Sequence, residues 1–548
     1  MTMTGILQLR SAACIFAALA MARPGFAQAP TPASSQKTTG MYRIAGTVVD
    51  AKTGFPLARA RVTITEARNE RNVQAAMSSE DGHFEFHAAV GKFSLQAFKR
   101  GYILSAYNQH EQFWTGIVTG AGIDIENLIL RVTPAALVTG RILDENGDPV
   151  REASVTLYRE DRFTGVSRIL RFRTAQTDDQ GVYEVPELDA GTYFVSAQAH
   201  PWYAVHPPSV REAIQVDPSL DVAYPVTYYG DVSEADQATP IPVRGGDRVQ
   251  ADIHLNPLPA LHLLFHVADE GTRGMVPPDL ERPAFDDTEG VPNRGVQQVQ
   301  PGLYEITGIP AGRYLVRMPD SDGELQAPMA VDLSSSQELA GASGNSTGKV
   351  KFKIQVAGAA TLPRNIQIGM RNRKGRVNSV QVDEKGEAEV ADLLADKYLV
   401  VAGSPNEMYS VSRMASESGP IEGRTLNITS SASISVSVTL TRGSVRIDGF
   451  AKRSGKAAPG AMMVLAPKDP ESNPDLFRRD QSDLDGSFSF FNVPPGSYNV
   501  VAIQDGWDLD WSKPAVLAHY SRHAVPLVVL PQAKGVQRLT SPVEVESR

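Results

Sequence analysis

The chain of 548 residues is almost without cysteine: its one thiol is Cys14, near the N-terminus. Disulfides, thiolate metal sites and a cysteine nucleophile are therefore excluded from the rest of the chain. Each folded unit must then be stable from packing alone, although export would permit disulfides. Basic excess is also missing. The formal net charge is -9 and the pI is near 5.7, which argues against a basic face for nucleic acid. After the N-terminus there is no apolar run long enough to span a bilayer and no long amphipathic helical pattern. Tryptophan is scarce, with 4 residues, so where each one falls carries information. Three catalytic signatures are absent: a Gly-x-Ser-x-Gly elbow, a His-Glu-x-x-His pair and a phosphate-cradling glycine loop before a helix.

What the chain has instead is repetition. Gly82-His-Phe-Glu-Phe86 leads to Gly91-Lys-Phe93, and Gly181-Val-Tyr-Glu-Val185 to Gly191-Thr-Tyr193. The pattern returns at Gly302 and Gly312-Arg-Tyr314, at Gly386 and Asp396-Lys-Tyr398, and at Gly486 and Gly496-Ser-Tyr498. Four of these five spacings are ten residues and the first is nine. A fixed internal period marks an array of copied units and not one large enzyme core. Within each unit, Phe84 and Phe86, Tyr183 and Val185, or Phe488 and Phe490 alternate with polar or small neighbours, the period-two signal of half-buried strands. Acidic residues precede three of the first glycines, at Glu80-Asp81, Asp178-Asp179 and Asp483-Leu-Asp485, and Asp with Gly marks a tight turn.

The first, second and fifth units also share an opening. It reads Ile44-Ala-Gly-Thr-Val48-Val-Asp50 with Gly54-Phe-Pro56, Val138-Thr-Gly-Arg-Ile142-Leu-Asp144 with Gly147-Asp-Pro149, and, more loosely, Val445-Arg-Ile447-Asp-Gly449 with Gly455 and Pro459. Joined to Asp-x-x-Gly-x-Phe/Tyr and Leu-x-x-Gly-x-Tyr, this resembles the carboxypeptidase regulatory-like domain. The resemblance implies a transthyretin-like or prealbumin-like β-sandwich, often grouped with carbohydrate-binding-like folds. In metallocarboxypeptidases that domain accompanies a separate zinc-binding catalytic domain, and nothing here is left over to form one. The fold class expected is all-β: a tandem array of about five Ig-like or prealbumin-like sandwiches after a cleaved signal peptide.

The domain map expected is a signal peptide at 1–27, from Arg10, the apolar Ser11–Met21 and a cleavage site at Gly25-Phe-Ala27. A flexible start at 28–41 follows. Sandwiches are expected at 42–135, 136–258, 259–332, 349–441 and 442–535, the third and fourth divergent. A Ser/Gly-rich linker is expected at 333–348 and a tail at 536–548.

Three features bear on chemistry. His83 and His87, like His262 and His266, are four apart, which on a strand is roughly 13 Å and too far to share a zinc. They read as isolated strand histidines, and no metal site is expected. The acidic turns at Asp483–Asp485 and Asp178–Asp179 supply two or three carboxylates where calcium wants six or more oxygens, so turn capping is favoured over calcium. The tryptophans lie in loops after the Gly-x-Tyr strands: Trp114, Trp202 beside Tyr203, and Trp507 with Trp511. Flat rings beside Asp, Asn and Gln suit stacking on sugars, but tryptophan at a domain junction equally serves packing. Exposed Trp507 and Trp511 would favour ligand binding; burial of both at a junction would favour packing.

The function expected is a non-enzymatic exported binding protein, periplasmic, extracellular or at the cell surface. The resemblance implies carbohydrate or a surface polymer as its ligand, with Trp114, Trp202, Tyr203, Trp507 and Trp511 as binding residues and no cofactor. A structural spacer or protein–protein adhesion scaffold is the alternative, with a protein partner. Nucleic acid is not expected as a partner, nor a transmembrane segment in the mature chain.

Overall fold

Alternating strands with one greasy face are stable only when that face is covered, and two sheets closing on each other is the economical solution. The computed structural model describes residues 40–548 apart from 121, 209–216, 267–275, 292–294, 320–327, 340–347, 360–361, 373–376, 394, 406, 417–420 and 430–431. The signal peptide and most of the flexible start, residues 1–39, lie outside the described residues. Residues 41–548 form one compact unit.

Among the described residues, one pairing scheme occurs five times. Tyr42–Asp50 pairs antiparallel with His83–Ala88, the strand after the Asp-Gly turn, and parallel with the closing strand Leu128–Val132. A second sheet puts Arg61–Glu66 between Asn69–Met77 and Gly91–Phe98. The same plan holds for Ala136–Leu143 with Val182–Leu188 and Arg248–Gln250, and for Leu261–His266 with Leu303–Ile309 and Gln337–Leu339. It holds again for Gly348–Val356 with Glu387–Leu393 and Ser433–Arg442, and for Val445–Arg453 with Ser487–Val493 and Val536–Arg538. The protein is an all-β array of sandwiches, and its one α-helix among the described residues is the short Pro514–His519.

Each sandwich has its own core. Ile44, Phe84, Leu95 and Leu130 fill the first; Val138, Tyr183, Tyr193 and Val195 the second; Leu263, Phe265, Ile306 and Tyr314 the third. Phe352, Ile368, Val400 and Val438 fill the fourth, and Ile447, Phe488, Phe490 and Tyr498 the fifth.

The repeated motif has a physical cause at both of its glycines. Gly181 takes φ +70°, and a Cβ there would lie 2.6 Å from the Ile142 carbonyl oxygen, so no side chain fits between the turn and the first strand. Ten residues on, Gly191, Gly312 and Gly496 precede a tyrosine whose hydroxyl folds back to donate to a carbonyl four residues earlier. The bonds are Tyr193 to Asp189 (2.9 Å), Tyr314 to Pro310 (2.6 Å) and Tyr498 to Pro494 (2.8 Å). A Cβ on Gly496 would press on the Tyr498 ring at 3.1 Å. The Gly-x-Tyr spacing is therefore a turn lock: the ring is buried and its one polar atom is satisfied locally.

Two segments differ from the expected map. The linker at 333–348 contains Gln337–Leu339, the closing strand of the third sandwich. The tail at 536–548 contains Val536–Arg538 and Val543–Glu546, which close the fifth. Both are short, polar on alternate positions and flanked by Gly, Ser or Pro. Such a strand earns its place by completing a sheet and carries little hydrophobic signal of its own.

Candidate functional site

The loop Tyr107–Gly116 of the first sandwich is tightly built. His110 and Phe113 exchange backbone hydrogen bonds of 2.8 and 2.9 Å, and Asn108 and Glu111 take the left-handed conformation at φ 48° and 52°. The turn presents His110 and Phe113 outward, and both meet the fifth sandwich. His110 stacks on Trp507 with centroids 4.9 Å apart and planes 5° from parallel, and Phe113 lies 5.8 Å from the same indole. Arg479, on the strand Arg478–Gln481, places its guanidinium 4.5 Å from the Trp511 ring, 5.2 Å from Phe113 and 5.9 Å from Trp507. It pairs with Glu111 at 2.5 Å and donates to the Phe163 carbonyl of the second sandwich at 3.4 Å. One cation thus joins the first and fifth sandwiches through three rings and a carboxylate, and reaches the second through a carbonyl.

Polar groups complete the contact. Gln481 accepts from His110 Nδ1 at 3.1 Å and donates to the Asn108 carbonyl at 2.6 Å and to Thr115 Oγ1 at 2.8 Å. Asp483 accepts from the Gly116 N–H at 2.9 Å and from Ser487 Oγ at 3.0 Å, and is paired with Lys92. Burial pushes the Asp483 carboxyl up, against the opposing pull of Lys92. Burial also raises the neighbouring Asp480, to about 6, with the Asp483 charge adding to the rise. From the second sandwich, the Ser167 N–H reaches Asp510 at 3.2 Å, and the Ser512 N–H reaches the Gly165 carbonyl at 3.2 Å.

The five candidate binding residues fall into two places. Trp507 and Trp511 come together at this junction: Trp507 is half-buried and Trp511 is 3% exposed, edge-on to Phe477 at 5.6 Å. Trp114 flanks it and is 40% exposed. The expectation that Trp507 and Trp511 offer flat faces to a ligand is not how they stand, because His110 and Arg479 already occupy those faces. Trp202 and Tyr203 lie apart, in the second sandwich. Trp202 is 87% exposed and meets Tyr203 edge-on at 5.7 Å. Glu145 anchors the base of this pair, accepting from Tyr203 and, at 2.8 Å, from Tyr224. Burial pushes the Tyr203 phenol up to about 12, with the Glu145 bond adding to it.

Sequence reasoning did not reach Arg479, Gln481 or His110. They are ordinary polar residues in a strand and a loop, and only the return of the fifth sandwich to the first makes them partners. The histidines are also not all isolated. His83 and His87 flank Glu85 at 3.9 and 3.6 Å, and His262 sits between two carboxylates at the junction of the second and third sandwiches. Among the described residues, no three His, Cys, Asp or Glu side chains converge as a metal-binding group, and no helix is long and apolar enough to cross a membrane.

The model of the carboxypeptidase regulatory-like domain matches residues 43–111 and 137–227. No curated protein matches the chain. Among solved structures, the Bacillus anthracis TIE protein aligns over 94% of this chain and 75% of its own, at 9% identity and a TM-score of 0.17. A streptococcal ancillary pilin aligns over 55% of this chain and 98% of its own, at 11% identity and a TM-score of 0.20. The minor pilin GBS52 of Streptococcus agalactiae aligns over 40% and 97%, at 13% identity and 0.21. With its strand pairing repeated five times among the described residues, the chain is a tandem-repeat β-sandwich protein, and its first two copies match the model of the carboxypeptidase regulatory-like domain.

Proposed function

We propose that this protein is a non-catalytic, exported structural scaffold whose sandwiches are held in a folded-back arrangement. The observation that carries this reading is the junction itself. Trp507, Trp511, Phe113 and Arg479, the residues best suited to grip a ligand, are spent on joining the first, second and fifth sandwiches. Export rests on the sequence: Arg10, the apolar Ser11–Met21 and the Gly25-Phe-Ala27 cleavage pattern. Small-angle scattering on the signal-free protein tests the scaffold. A particle with one fixed, compact envelope at all concentrations fits it, and an extended, flexible string of sandwiches overturns it.

A second reading, recognition of carbohydrate or another surface polymer, is favoured by the exposure of Trp202 beside the anchored Tyr203. An indole free on its face stacks well on apolar C–H surfaces. Binding to a glycan and polysaccharide panel, repeated with Trp202→Ala, tests it. Specific binding lost in the folded variant supports a ligand site there, and no binding by the wild type leaves the scaffold reading alone.

A further inference from the structure

At the seam between the first and fifth sandwiches, Lys92 and Asp483 meet in a space shaped for the pair. Lys92 follows Gly91 at the start of the strand Gly91–Phe98, and its Nζ is paired with Asp483 Oδ2. The Asp483 side chain is 2% exposed. Its other oxygen, Oδ1, accepts from the Gly116 N–H at 2.9 Å, and Ser487 Oγ donates to Oδ2 at 3.0 Å. Gly116 accounts for the close fit. Its φ is not positive, so its backbone does not call for glycine. A Cβ there would lie 2.5 Å from Asp483 Oδ1 and 2.8 Å from Lys92 Cε. The missing side chain is the room in which the amine and the carboxyl touch.

This setting supplies more than attraction. A lysine amine is a nucleophile, and a carboxyl carbon is one of the centres it can attack. Holding the two together turns an encounter into a step within one molecule. The Gly116 N–H is aimed at Oδ1, where negative charge gathers as the carbon becomes tetrahedral. Burial raises the Asp483 carboxyl, which brings its neutral, electrophilic form within reach. An amide would also remove two charges from a site where one of them is almost wholly desolvated. The nearby Asp480 charge opposes that of Asp483, and the amide would end this repulsion.

We propose that Lys92 and Asp483 become joined by an isopeptide bond, a covalent staple that closes the first sandwich onto the fifth once the chain has folded. The step balances without a further reagent. One proton passes from the Lys92 ammonium to Asp483 Oδ2, giving an amine and an acid. The Nζ lone pair attacks Cγ and an N–C bond forms. The bond from Cγ to Oδ2 breaks, and Oδ2 leaves as water with that proton and a second one from Nζ. The Lys92 side chain is 41% exposed, so this water has a way out. The staple rests on the folded-back scaffold, which alone brings the two residues together.

Mass spectrometry of the purified full chain, denatured before injection, tests it. The wild type should be lighter by one water than the sequence between its measured ends requires. Lys92→Arg keeps the charge but not the amine, and should show the full mass. Trypsin should leave Lys92 uncut in the wild type and release one branched peptide that carries both Lys92 and Asp483. A wild type at full mass overturns the staple. So does a lost water without the branched peptide, because an Asp-Gly step such as Asp485-Gly486 can lose water by closing on its own backbone. The wild-type mass and peptide decide the point even should Lys92→Arg not fold. Scattering on the same sample separates this result from the scaffold reading. Full mass with a compact envelope strikes the staple alone, and full mass with an extended string strikes both.

Discussion

In the second sandwich, Asp178 serves its own turn: one carboxylate oxygen accepts from the N–H groups of Gln180 at 2.9 Å and Val182 at 2.8 Å. In the fifth, Asp483 stands at the same place in the motif, three residues before the glycine, and serves a different sandwich while keeping one bond, from Ser487 Oγ, to its own turn. It binds the Gly116 N–H and Lys92, while Asp485 takes over its own turn by accepting from Ser487 at 2.9 Å. The neighbouring strands differ in the same sense. Arg168–Gln176 of the second sandwich has exposed positions along its length, whereas Arg478–Gln481 of the fifth is covered by the first and second sandwiches. The tryptophans repeat the contrast, with Trp202 open and Trp511 enclosed. One copied unit therefore keeps its turn chemistry while a single shifted residue converts a cap into an interdomain contact. An edge strand that would otherwise invite pairing with other chains is covered in the same step.

The comparison can be broken in graded steps. Trp511→Ala should be the most damaging, at about 3–5 kcal/mol, because it leaves a cavity and removes a face from Arg479. Differential scanning calorimetry checks it, against Trp202→Ala as the matched open position. Arg479→Ala should cost about 2–3 kcal/mol and leave the fifth core folded, since it removes a buried guanidinium from between three rings and takes from Glu111 its cation. Its signature is an increased radius of gyration in scattering with an unchanged β spectrum. Asp480→Asn should stabilise the protein at pH 8. A carboxyl raised to about 6 favours its protonated form when folded, so its penalty is present above pH 6 and fades as pH falls towards the ordinary carboxylate value. The gain should be on the order of 2 kcal/mol at pH 8 and absent near pH 4, read as the difference in Tm between variant and wild type. Asp178→Ala should cost about 1 kcal/mol, confined to the second sandwich, whereas Asp483→Ala should also raise amide exchange at Gly116. Trp202→Ala should change stability by less than about 0.5 kcal/mol, and a larger loss would mean that this ring is not the free surface described.

Much of the fold was legible because the repeat writes its geometry in residues that cannot be exchanged. Gly181 and its equivalents must be glycine, and the tyrosine two residues after Gly191, Gly312 and Gly496 locks a turn within its own unit. Local constraints of this kind survive in a single sequence. The closing strands Gln337–Leu339 and Val536–Arg538 were less legible, because a short parallel strand is specified by the sheet it joins. The junction was harder still. Trp507 and Trp511 could be singled out from their placement, but Arg479, Gln481 and His110 become a site only through contacts across hundreds of residues, for which no local pattern exists. His262 was misread as isolated for the same reason: its partner Asp221 comes from another sandwich.

Gly116 and Asp483 are separated by 367 residues. During synthesis at about 5–20 residues per second, that separation is an interval of roughly 20–70 seconds. For that time the finished first sandwich carries His110 and Phe113 without the Trp507 that meets both of them in the finished protein. The loop that ends as an internal seam thus begins as an uncovered apolar surface on the emerging chain. Its guardian while it waits, whether a chaperone or the second sandwich alone, bears on yield as much as any residue in the finished molecule.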